Sequence, residues 1–137
     1  MKYYKSKEVI TKYTVLRLVY NPEEEIILYD KINDIEYYGV KNVQDGFLDK
    51  QHAECEVTEM KFEEIKTILD NCRLMQQFND AIEREIAVKY SIAKEIGITN
   101  SDHNGEEYTA YREYVNACKE RVNKLKIEWG LKEGGTQ

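Results

Sequence analysis

The feature that most restricts this chain is an apolar stripe with helical spacing that runs from Phe62 to Ile96. Ile65, Ile68, Cys72, Met75, Phe78, Ile82, Ile86, Tyr90, Ala93 and Ile96 follow one another in steps of three or four, so they share one face of a helix. Leu74, Ala81 and Val88 recur every seven residues on a second face, about 100° or more round the helix, and Ile92 widens it. The pattern predicts a helix over 59–97. A helix that is apolar on two sides packs against two things. One is its own domain; the other is either more of that domain, the two stripes covering each other and the sheet, or a partner chain.

A second helix is predicted over 105–132. Tyr108, Tyr111, Val115, Cys118, Val122, Leu125 and Trp129 alternate steps of three and four, the a/d spacing of a coiled-coil seam. Asn104 as N-cap, Glu107 three residues on and Glu106 beside it mark the start. Lys124, Lys126 and Lys132, with Gly130, Gly134 and Gly135, mark the end. The polar connection 98–104 is short enough to join antiparallel neighbours, which gives an αα-hairpin. Leu74, Ala81, Val88, Ile92 and Trp129 are the residues expected to serve self-association, most simply as a two-fold dimer.

The N-terminal half, 1–58, reads as mainly β. Met1 to Lys7 is an arm or first strand, and Val9 to Tyr20 is β-branched and aromatic without a breaker, which predicts a strand. Asn21-Pro22-Glu23-Glu24-Glu25 resembles a helix start, but Ile26 to Tyr29 is too short an apolar run, and a hairpin strand is preferred. Ile35 to Val43 is a further strand with Gly39 as its bulge position; Gln44-Asp45-Gly46 is a turn; His52 to Thr58 alternates as a last strand. Strands followed by helices make an α+β fold: an N-terminal antiparallel sheet of about four strands, with the helical hairpin packed on one face. The whole chain, 1–137, is read as a single domain with a loose tail at 133–137.

Composition narrows the function. The net charge of −6 argues against a dedicated DNA or RNA binder. Lys119, Arg121, Lys124 and Lys126 form a basic stripe, but Glu113, Glu120 and Glu128 dilute it into an ordinary solvated face. No apolar run approaches the ~20 residues of a membrane span, so no membrane partner is expected. Three cysteines without paired spacing point to buried thiols in a reducing compartment, hence a cytoplasmic location.

Motifs for chemistry fail one by one. His52-Ala53-Glu54 has the letters of half a zinc deaminase motif, but the Pro-Cys-x-x-Cys half is missing. Cys72 and Cys118, which with His52, Cys55 or His103 would complete a metal site, sit on the apolar stripes as core thiols. Asn100 to Gly105 resembles half an EF-hand loop, but position twelve is Tyr111 and supplies no carboxylate. No nucleophile arrangement or phosphate loop is present. The expectation is no catalytic residue, no metal and no cofactor.

What remains is recognition. Tyr108, Tyr111, Arg112 and Tyr114 form a Tyr/Arg cluster of the kind that anchors interfaces. Arg17 lies in an apolar stretch, and Tyr37 and Tyr38 alternate on one strand so that one ring faces outward when the other is in the core. The expected function is therefore a non-enzymatic oligomeric protein that occludes or sequesters a macromolecular partner. A single proline with abundant Ile, Lys, Glu and Tyr fits an AT-rich coding sequence. That composition suggests a phage- or mobile-element-encoded inhibitor of a host system. Two alternatives stand beside it. One is a nucleotide-like small-molecule binder at a subunit interface, with Tyr37, Tyr38 and Tyr111 for stacking and Arg17 or Arg112 for phosphate. The other is a structural component of a phage particle.

Overall fold

A computed structural model describes residues 1–100 and 105–133. The strands are β1 (Lys2–Lys7), β2 (Val9–Ile10), β3 (Val15–Leu16), β4 (Glu25–Ile32), β5 (Ile35–Lys41) and β6 (Thr58–Met60); the helices are α1 (Phe62–Asn71), α2 (Arg73–Lys89), α3 (Ile92–Thr99) and α4 (Glu106–Glu128). The fold is α+β. Four strands form one antiparallel sheet in the order β4-β5-β1-β6, while β2 and β3 form a separate small hairpin. The β4–β5 connection is a two-residue turn, Asn33-Asp34, with both residues at positive φ, the geometry that matches strand twist.

The side chains on the two faces of the sheet enter two different cores. Tyr3 and Tyr29 join Ile65, Leu69, Cys72, Met75 and Leu131 beneath the helices. Tyr4, Tyr38 and Val40 join Leu18 and Phe47, from the segments that cross the opposite face. Tyr37 and Tyr38 do point to opposite faces, but neither ring is left in solvent: Tyr37 packs on the helix side and Tyr38 is buried on the other. The reason lies in the two loops that cover the second face. Glu24 clasps them, its carboxylate accepting from Asn21 N–H (2.7 Å), Gln44 N–H (2.9 Å) and the Lys50 ammonium (2.6 Å). Burial opposes ionisation of Glu24, but the hydrogen bonds from Asn21, Lys50 and Gln44 outweigh it and hold the carboxyl below its usual range.

Several sequence expectations are corrected. Val9 to Tyr20 is not one strand. The Thr11 hydroxyl donates to Thr14 C=O (2.8 Å) and accepts from Thr14 N–H (3.0 Å), which folds the segment into the β2–β3 hairpin. His52 to Thr58 is not a strand either: Ala53–Cys55 is a 3₁₀ turn, and Glu56 adopts a left-handed conformation before β6 begins. Gly39 is no bulge. It lies opposite Ile27, and its missing side chain makes room for the Tyr29 ring; the irregularity is on β4, between Leu28 and Asp30.

The helix expected over 59–97 is three helices. Cys72 turns extended (ψ 161°) and its sulfur accepts the Met75 N–H at 3.3 Å, capping α2. Tyr90 also leaves the helical region, and the Ser91 hydroxyl accepts the Lys94 N–H at 3.2 Å to start α3. The expected cap Asn104 lies outside the described residues, as do the loop residues 101–104 (His103 among them) and the tail 134–137; Gly105 holds the N-cap position of α4. At its far end Gly130, at positive φ, closes a Schellman-type turn, with Leu131 N–H donating to Lys126 C=O (2.8 Å) and Gly130 N–H to Ile127 C=O (3.0 Å).

The α4 seam drifts, as a straight helix must when its repeat is 3.6 rather than 3.5 residues. Tyr111, Cys118 and Val122 face inward, but the next inward position falls on Lys126, not Leu125. This is not a sustained coiled coil. Buried Lys126 donates to Asn79 Oδ1 (2.6 Å); burial first, then Lys132, pulls its ammonium pKa down. It therefore leaves the solvated basic stripe expected from sequence. Two hydroxyls pin the end of α4 to the sheet: Tyr29 donates to Trp129 C=O (2.6 Å) and Tyr3 to Gly130 C=O (2.8 Å).

Candidate interaction surface

From Met75 in the sheet-side core to Tyr90, helix α2 runs 15 residues, roughly 22 Å at 1.5 Å per residue. The α2–α4 hairpin is thus an arm with its own distal core, in which Tyr90, Ile98 and Tyr111 are buried and Ile86, Tyr108, Tyr114 and Val115 pack around them. Tyr90 meets Tyr111 edge-on (5.0 Å between centroids) and Tyr114 at a tilt (5.7 Å). Lys89 lies over the Tyr114 ring at 4.7 Å and Lys94 over the Tyr90 ring at 5.2 Å, geometry favourable to cation–π attraction.

The Tyr/Arg cluster expected to contact a partner is therefore largely turned inward. The Tyr111 hydroxyl donates to the Glu95 carboxylate, and that bond, with burial adding to it, pushes its pKa up to about 12. The Tyr114 hydroxyl donates to Glu85 C=O (2.9 Å). Arg112 stays exposed, its guanidinium 5.9 Å from the Tyr108 ring centroid. Arg121 pairs with Glu85 (2.6 Å) and holds that carboxyl below its usual range.

Of the five residues expected to serve self-association, Leu74 packs against the sheet-side core and Ala81 is half-buried. Trp129 caps α4 edge-on to Phe78 (6.2 Å) and is only partly exposed. Val88 and Ile92 are different: they are 88% and 76% exposed. Ile96, assigned by sequence to the inward stripe, is 55% exposed because the break at Ser91 turns α3 and brings Ile98 inward instead.

Beside these side chains, in the elbow between α2 and α3, lies an open groove of about 670 Å³. Ile86, Ala87, Tyr90 and Ile92 give it apolar walls, and Asp80, Glu83, Glu95 and Arg84 complete its lining. The elbow thus carries three exposed aliphatic side chains four residues apart in sequence, here called the ridge, and through Ile92 they reach an apolar groove of predominantly acidic charge. Sequence reading missed the groove and Ile96, although Ser91 as a cap in mid-stripe was the signal for both.

Arg17 is exposed near the β4 edge, in a depression of about 380 Å³ that Glu8, Asp30, Lys31, Glu36 and Arg73 also line. An incoming phosphate would meet three carboxylates there. Tyr37 and Tyr38 belong to separate cores, so the stacking-plus-arginine set is not brought together. Among the described residues no three His, Cys, Asp or Glu side chains converge to hold a metal, and no helix is long and apolar enough to cross a membrane. Cys55, Cys72 and Cys118 are free and buried. Comparison with family models, curated proteins and solved structures finds no match to this chain.

Proposed function

We propose that this chain is a non-enzymatic binding protein that works by surface contact, self-associating through the tip of its helical arm and thereby occluding a macromolecular partner. The observation that carries this reading is the exposure of three aliphatic side chains within nine residues at the elbow, Val88, Ile92 and Ile96, of which Ile92 lines the groove. Contiguous exposed aliphatic surface next to a groove marks an interaction site, whereas single exposed residues do not.

Magnitudes limit what the ridge does alone. Burying a Val or Ile side chain is worth about 1.5–3 kcal/mol, so the exposed parts of these three contribute on the order of 5 kcal/mol per copy. Association costs about 4–15 kcal/mol in lost freedom, so a lasting contact must fill the groove as well.

Sedimentation equilibrium of the wild type and of Val88→Lys tests the reading. Lysine at the last turn of α2 suits the helix dipole, so circular dichroism stays helical while the mass falls to that of one chain. A wild type that sediments as one chain at high concentration, or a Val88→Lys variant of undiminished mass, overturns it.

A further inference from the structure

We infer that the groove at the α2–α3 elbow receives the β2–β3 hairpin of a second copy, joining chains head to tail. The inference rests on the self-association reading above and names what fills the groove. The hairpin has the shape of an insert. Its turn is closed by the Thr11 N–H to Thr14 C=O bond (2.8 Å) and by the Thr11 hydroxyl on both sides of Thr14, so little freedom remains to be lost on docking. At this closed end Tyr13 is 89% exposed and Ile10 69%, two of the most exposed large apolar side chains in the described chain. Lys12 stands between them, its ammonium 5.6 Å from the Tyr13 ring centroid.

Charge matches the two surfaces. The hairpin itself, residues 9–16, carries Lys12 and no acidic residue, on a chain whose net charge is −6. The groove lining carries Asp80, Glu83 and Glu95 against Arg84 alone. Docking buries Ile10 and Tyr13 on Ile86, Ala87 and Ile92, and sets Lys12 beside Asp80 and Glu83. That supplies the apolar area the ridge lacks. Insert and groove are different parts of one chain; joined head to tail they make a heterologous contact that builds rings or open chains, whereas reciprocal insertion would close a two-fold pair and stop at two.

Complementation tests this on the full chain. Variant one is Tyr13→Ser with Lys12→Glu, which spoils the insert; variant two is Ala87→Arg with Glu83→Arg, which spoils the groove. These positions are exposed, so both variants keep wild-type circular dichroism. The wild type forms assemblies larger than two chains that shrink with salt. Each variant alone sediments as one chain, while an equimolar mixture gives a two-chain species and nothing larger. Lys12→Glu alone weakens association on the order of tenfold, and Glu83→Lys in the same chain restores it. If the wild type self-associates and variant one keeps its full mass, the head-to-tail contact is wrong while self-association stands. If the wild type is a single chain at every concentration, both fail. If variant one is folded and the mixture stays monomeric, the insert belongs on another body, such as an acidic protein or a lipid surface, and the inference falls.

Discussion

Replacing Tyr29 by Phe removes one oxygen from a side chain that is 2% exposed and whose hydroxyl donates to Trp129 C=O at 2.6 Å. The ring keeps its packing, so the change isolates the hydrogen bond. A part-buried carbonyl deprived of its donor costs about 1–2 kcal/mol. For a domain of this length each kcal/mol moves Tm by roughly 3–5 °C, so the variant should melt about 3–10 °C lower. Tyr3→Phe removes the neighbouring bond to Gly130 C=O, and the two rings lie 6.3 Å apart, so the double variant should deviate from additivity by about 0.5 kcal/mol or more. Gly39→Ala should destabilise at least as much as Tyr29→Phe. Its new Cβ would lie 2.8 Å from Tyr29 Cζ and push the ring off both glycines it rests on, Gly39 and Gly130. Burial raises the pKa of both tyrosines, so the pin stabilises fully below pH 10 and is lost as pH rises above it, because the unfolded chain ionises first. Thermal and urea melts at pH 7 and pH 10.5 provide the readout. A Tm for Tyr29→Phe within 1 °C of wild type would refute the claim that these hydroxyls hold the arm to the sheet.

Further outcomes follow from the same geometry. Glu24→Gln should destabilise by about 1–3 kcal/mol, measured by urea unfolding. Because the folded Glu24 carboxyl is held low, its contribution is present above the usual carboxylate range and disappears as pH falls through it; the variant should show a flatter acid limb. Ser91→Ala should remove the α3 cap at about 1 kcal/mol and speed amide exchange in Ile92–Thr99 while leaving β1 and β5 unchanged. Tyr111→Phe should abolish the alkaline loosening of the arm tip between pH 10 and about 12, followed by tyrosine absorbance and tip amide exchange.

The order of strands and helices, the antiparallel sheet and the pairing of the two long apolar stripes were legible because period and composition carry them directly. Ser91 shows why boundaries were not: Tyr90 remains on the stripe whether the helix continues or breaks, so spacing alone cannot register the turn. The consequence falls on the candidate site, since that break exposes Ile96 and shapes the groove. Lys126 shows a second limit. A perfect three–four alternation implied Leu125 facing inward, but a straight helix drifts by Val122 and brings a lysine round, made tolerable by Asn79 from another helix. The inward turn of Tyr111 and Tyr114 was equally hidden, because their partners, Glu95 and the Glu85 carbonyl, are 16 and 29 residues away. Val88 and Ile92 were legible as a second face and remain exposed; Leu74, Ala81 and Trp129 on the same reckoning are partly covered by the chain itself.

The most direct test of the account is a methyl NMR titration of the wild-type chain against its own concentration. The methyls of Val88, Ile92 and Ile96 should shift or broaden together as concentration rises, while that of Ile65, wholly buried in the sheet-side core, stays fixed. Tip methyls that hold their positions from dilute to concentrated solution would mean that the exposed ridge meets no second copy.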